Sequence, residues 1–82
     1  MNLQDLRSEI DAIDAAMTQL FIQRMEFVKK VSDFKKSHNL PTLDQSREVA
    51  KLAKLPADWQ PYLGEFYQKI FELSRAYQDG RK

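Results

Sequence analysis

Apolar side chains recur at alternating steps of three and four through the first half of the chain: Leu3, Leu6, Ile10, Ile13, Met17 and Leu20, then Phe27, Val31 and Phe34. That spacing marks one face of an α-helix. Neither Pro nor Gly interrupts the stretch from Asn2 to His38, so it predicts one helix over about residues 2–38. Ten turns at 1.5 Å per residue span roughly 50 Å. A helix that long cannot cover its whole apolar stripe with so short a chain, and a partner helix is expected. Asn39 favours a stop, and Pro41 pushes Leu40 out of helical geometry.

A short second helix is expected over about residues 44–54, with Asp44 accepting bonds from free backbone N–H groups. Thr42 with Gln45 forms a rival start, as a capping box. Pro56 and Pro61 bracket a turn. The third helix is expected over about residues 59–79, with Leu63, Phe66, Tyr67, Ile70, Phe71, Leu73 and Tyr77 as its apolar members. Gly80 stands where a C-terminal cap belongs. No strand-like alternation or internal repeat is visible. The fold class is all-α, with a long, a short and a medium helix in one domain over residues 1–82.

The apolar face of the first helix has one gap. After Leu20 the next seam position is Arg24. A guanidinium on a buried seam is costly unless an anion meets it. Lys35 follows eleven residues later. It points within about 20° of Arg24 and lies roughly 16 Å along the axis. Two long cationic side chains at that spacing can lean together across a small anionic ligand. Arg7 lies seventeen residues before Arg24. Its face is turned by about 100° and its axial distance is roughly 25 Å. It cannot join that site in its own chain, but an antiparallel partner could bring it there. On the third helix, Ser74 and Gln78 share a face that continues the apolar stripe. Asp44, Arg47 and Glu48 lie within one turn of the second helix.

Each residue also has an ordinary explanation. Arg24 can fix helix register or pair with a glutamate across an interface. Lys35 beside Lys36 fits a solvated face. Ser74 can bond back to its own helix, and Gln78 can belong to a frayed end. His38 reads as a helix-end residue. Phe21, Phe34, Phe66, Phe71 and Tyr77 read as core.

A net charge of +1 makes no case for nucleic acid or an anionic membrane. Cysteine is absent, which excludes disulfides and thiolate chemistry and suits the cytoplasm. No apolar run reaches the length of a membrane span. The start, MNLQDLRSEID, lacks the basic end and apolar core of a signal peptide. The assembled polar set contains no cysteine nucleophile, no credible histidine base and no metal cluster.

The ordered runs LRSEIDAID, RMEFVKKVSDFK, DQSRE and SRAYQ resemble the all-helical class of chorismate mutases, from Leu3 to Gln78. The connection between Arg47 and Ser74 is several residues shorter than in many members, and spacing alone singles out Lys35 among the lysines. The resemblance implies an intertwined homodimer with antiparallel long helices. Each site would take Arg24, Lys35, Asp44, Arg47, Glu48, Ser74 and Gln78 from one chain and Arg7 from the other. It implies rearrangement of chorismate to prephenate without any cofactor, by conformational restriction and electrostatic stabilisation. Arg7 and Arg24 would bind the carboxylates, with Ser74 assisting. Lys35 and Gln78 would donate to the ether oxygen. Glu48, with the helix start at Asp44, would orient the ring hydroxyl, and Arg47 would line the rim. Val31 and Phe71 would form apolar walls. An isochorismate-pyruvate lyase on the same scaffold and a non-catalytic helical dimerisation or regulatory module are the alternatives.

Overall fold

The structure, a computed structural model, describes residues 1–41 and 43–80, so the rival cap at Thr42 lies outside the described residues. The described residues are helical and contain no strand. Helix α1 spans Leu3–Ser37, α2 spans Gln45–Ala53 and α3 spans Gln60–Gly80, with a 3-10 turn at Ala57–Trp59 leading into α3.

Side chains and turns punctuate the helices as their chemistry dictates. The Asn2 side chain accepts from the Asp5 amide at 2.8 Å, and Asp5 returns a bond to the Asn2 amide at 3.3 Å. This reciprocal box satisfies two of the free donors that open α1. The helix ends at His38, after which Asn39 takes the left-handed conformation with φ 57°. The Leu40 amide then reaches the Lys35 carbonyl at 2.8 Å and the Asn39 amide reaches that of Lys36 at 3.4 Å. Asparagine tolerates this conformation, so the chain turns where Pro41 could not continue a helix. At α2, Asp44 Oδ1 accepts from the Arg47 amide at 3.1 Å and from Ser46 Oγ at 3.0 Å. Gly80 is helical and not left-handed, so it does not act as the expected cap: glycine permits that conformation but does not compel it.

Helix α3 packs against both α1 and α2. Tyr67 meets α2, with the Lys51 ammonium 5.7 Å from its ring centre, and its ring lies 6.0 Å from that of Phe71 one turn further along α3. The core of the single protomer is small, and its buried apolar residues are Ile70 and Phe71. Phe21 is half-buried, while Phe34, Phe66 and Tyr77 are exposed in the lone chain, unlike the core positions that the sequence predicts. The whole α1 stripe is likewise open, from Leu3 and Leu6 to Leu20 at 62 % and Phe27 at 63 % exposure. The protomer measures 54 × 29 × 15 Å, and its radius of gyration is 15.9 Å. A compact domain of this length has a radius of about 12 Å. The excess is the length of α1, which runs beyond what α2 and α3 can cover. Among the described residues no helix is long and apolar enough to cross a membrane.

The connection from α2 to α3 is held by one amide. Gln60 Nε2 donates to the carbonyls of Leu52 at 3.0 Å and Leu55 at 3.2 Å where α2 ends, and the Leu52 carbonyl also accepts from the Leu55 amide at 3.3 Å. Gln60→Leu should lower the unfolding free energy by about 1–3 kcal/mol, since it strands the Leu55 carbonyl and removes one of the two donors to Leu52. Urea denaturation reads this as a lower midpoint with an unchanged slope.

Candidate active site

A cleft of about 310 Å³ opens between the C-terminal half of α1, the start of α2 and the C-terminal half of α3. Its wall includes Arg24, Lys35, Asp44, Arg47, Glu48, Ser74 and Gln78. The helices thus bring together every in-chain residue that the resemblance singled out. Phe27, Val28, Val31 and Phe71 supply apolar walls, of which Val31 and Phe71 were expected. Arg7 does not line the cleft, as its axial distance along α1 requires.

Arg24 anchors the α1–α3 side. Its Nη1 donates to Ser74 Oγ at 2.6 Å, and Ser74 donates its own proton to the Ile70 carbonyl at 2.7 Å. Ser74 therefore bonds back along its helix and also steadies the guanidinium. Among the described residues no carboxylate pairs with Arg24. Burial first, then the nearby positive charge of Arg47, pushes the Arg24 guanidinium below its ordinary pKa, while Tyr67 opposes the shift. Both leading causes penalise the cation, and an anion in the cleft would relieve them.

Two other polar groups set the character of the site. Gln78 is 8 % exposed, lines the cleft, and its amide has no hydrogen-bond partner among the described residues. A buried amide in that state is costly unless a ligand meets it. Glu48 is engaged by Arg75, whose Nη1 lies 2.6 Å from Glu48 Oε2. Arg75 also lines the cleft, and the sequence reading passed over it. Its signal was available: Arg75 lies four residues after Phe71 and three before Gln78, on the same helical face.

The cleft therefore carries four cations, Arg24, Lys35, Arg47 and Arg75, against two carboxylates, Asp44 and Glu48. The excess of two positive charges suits a small dianion, and the apolar walls suit a compact carbon skeleton. Among the described residues no three His, Cys, Asp or Glu side chains come together as metal ligands.

The sequence profile of the chorismate mutase type II family matches residues 6–79. The chain belongs to that family. It is also 48 % identical over 50 residues to the T-protein of Haemophilus influenzae, an alignment that covers 61 % of this chain. The same alignment spans 13 % of the T-protein, so the shared segment is a small part of that relative. No solved structure matches significantly. The family profile runs through all three helices and so takes in every cleft residue from Arg24 to Gln78.

Asp44 gives this mutase-family cleft a dependence on pH. Its carboxyl is held below the ordinary value of 3.8, first by the Arg47 amide, then by Ser46; desolvation opposes the shift, and Lys35 and Arg47 add weaker attractions. A carboxylate with a depressed folded-state pKa stabilises the fold above its unfolded value, and that contribution is lost as pH falls through the folded one. Melting followed by circular dichroism between about pH 5 and pH 2 should show this loss, and Asp44→Asn should flatten it.

Proposed function

We propose that residues 1–82 form one helical domain that catalyses the pericyclic rearrangement of chorismate to prephenate, as an intertwined antiparallel homodimer in the cytoplasm, for aromatic amino-acid synthesis. The observation that carries this reading is the convergence of Arg24, Lys35, Glu48 and the partnerless Gln78 amide on one cleft with an excess of two positive charges. The substrate has matching chemistry: two carboxylates, one hydroxyl, and an ether oxygen that gains negative charge as its C–O bond breaks.

The reaction breaks that C–O bond as one C–C bond forms within the same molecule. The protein's task is to hold the compact reactive conformer and stabilise the ether oxygen. Arg24 binds one carboxylate in a planar fork, steadied by Ser74. Lys35 and Gln78 donate to the ether oxygen. The Gln78 amide is neutral and donates without first gaining a proton, so turnover at neutral pH is expected. Glu48, on the helix that Asp44 opens, accepts the ring hydroxyl, and Arg47 lines the rim. Phe71 and Val31 press on the skeleton.

The second carboxylate falls to Arg7 of another chain. The open stripe along α1 supports a second copy, since an apolar face of this length is rarely left in water. Arg7 and Phe27 are each ten residues from Met17. Two α1 helices paired antiparallel about Met17 would thus set the partner subunit's Arg7 level with Phe27 at the cleft wall.

Incubation with chorismate should yield prephenate; salicylate formed from isochorismate, with no prephenate from chorismate, would overturn the mutase reading. Lys35→Ala should slow turnover about 10²- to 10³-fold, the scale of a lost donor to a developing oxyanion. Arg24→Ala should abolish turnover while the helical dimer persists, whereas a non-catalytic module would show changed stability and no ligand effect. Arg7→Ala and Lys35→Ala chains, each strongly impaired alone, should regain activity when mixed, because a hybrid dimer contains one intact site. No recovery despite demonstrated subunit exchange would exclude a shared site.

A further inference from the structure

The Glu48–Arg75 pair is an ion pair between two helices, joining α2 to α3 across the cleft, with the two side chains 22 % and 34 % exposed. Both residues line the cleft wall. Glu48 is therefore a carboxylate in the same cleft wall as the cations Arg24, Lys35 and Arg47. Unless one of its oxygens is fixed, Glu48 is drawn to these cations through both oxygens and neither is held toward a ligand hydroxyl. The contact with Arg75 is made by Oε2 alone, and Oε1 has no partner among the described residues.

We infer that Arg75 is a positioning residue for ligand selection: it fixes Glu48 through Oε2 and leaves Glu48 Oε1 free to accept a hydrogen bond from a ligand hydroxyl. The inference rests on the reading of this cleft as the site of a hydroxyl-bearing dicarboxylate. Arg75 acts through Glu48 and does not touch the reacting atoms. It also supplies the fourth cation of the cleft, so its removal would lower the excess positive charge from two to one. The two roles separate cleanly. A role through Glu48 concerns the hydroxyl, while a bulk charge effect concerns every anionic ligand alike.

The test uses the intact protein with Arg75→Leu, Arg75→Lys, Glu48→Gln and the Arg75→Leu/Glu48→Gln double variant. Steady-state kinetics are measured with chorismate. Inhibition is measured with a bicyclic dicarboxylate analogue of the transition state that carries the ring hydroxyl, and with the same compound bearing hydrogen in its place. Arg75→Leu should raise KM and weaken the hydroxyl-bearing inhibitor by about tenfold, the scale of one charge-assisted hydrogen bond. It should leave kcat and the deoxy inhibitor within about twofold, and Arg75→Lys should recover part of the loss. The double variant should be no worse than Glu48→Gln alone, because both changes remove the same interaction. Equal weakening of both inhibitors, or additive losses in the double variant, would overturn the inference. Should Arg75→Leu fail to fold, Arg75→Gln carries the same comparison. A wild-type protein without prephenate formation removes the functional reading and this inference together; an active wild type with the overturning pattern removes this inference alone.

Discussion

A cation occupies a position where apolar packing would ordinarily continue, and the rest of the site is arranged around it. Arg24 sits on the packed side of α1, partly withdrawn from water and repelled by Arg47. Its partner in the structure is a neutral hydroxyl, Ser74 Oγ, at 2.6 Å. A neutral acceptor satisfies one donor of the guanidinium but does not cancel its charge. The unfavourable state is tolerable because α3 supports it rigidly: Ser74 is tied to the Ile70 carbonyl, next to the small core of Ile70 and Phe71. Site and core therefore share the same turns of α3.

This arrangement accounts for the use of three helices of unequal length. The long helix carries Arg24 and Lys35 about three turns apart, and both stand in the cleft wall. The short helix is aimed by its cap. Asp44 holds the Arg47 amide, and the same turn presents Glu48 to α3. The third helix closes the cleft with the Ser74, Arg75 and Gln78 face. Groups fixed on helices hold their geometry better than groups on loops, and this matters when the chemistry depends on orientation and electrostatics. The cleft wall presents cations from all three helices together with the Gln78 amide.

The protomer is also incomplete as a packing unit. The stripe from Leu3 to Phe34 is open in the lone chain, and the protomer is longer than its own core can explain. The same helix thus carries two kinds of unfinished surface, one apolar along its length and one cationic at the cleft.

Helical periodicity, the absence of Pro and Gly between Asn2 and His38, and the Asn-Leu-Pro stop were enough to read the long helix from the chain alone. Arg24 and Lys35 stood out because they lie in register with that period, and Asp44 because a cap has a recognisable local pattern. These are features whose physics is confined to one helix. Other features required the helices to be brought together. The Arg75–Glu48 pair joins residues 27 apart in sequence, and no local period announces it. The Gln60 amide that ends α2 bridges across a turn, and the partnerless burial of Gln78 exists only once α3 lies against the cleft. Burial was also overestimated from the sequence for Phe34, Phe66 and Tyr77, because periodicity identifies an apolar face but not what covers it. The sequence by itself determined the helices and the cations that interrupt them, since these follow from spacing along one backbone. Tertiary structure alone decided which charge meets which, because pairing energy depends on distance through space and on the water removed between helices.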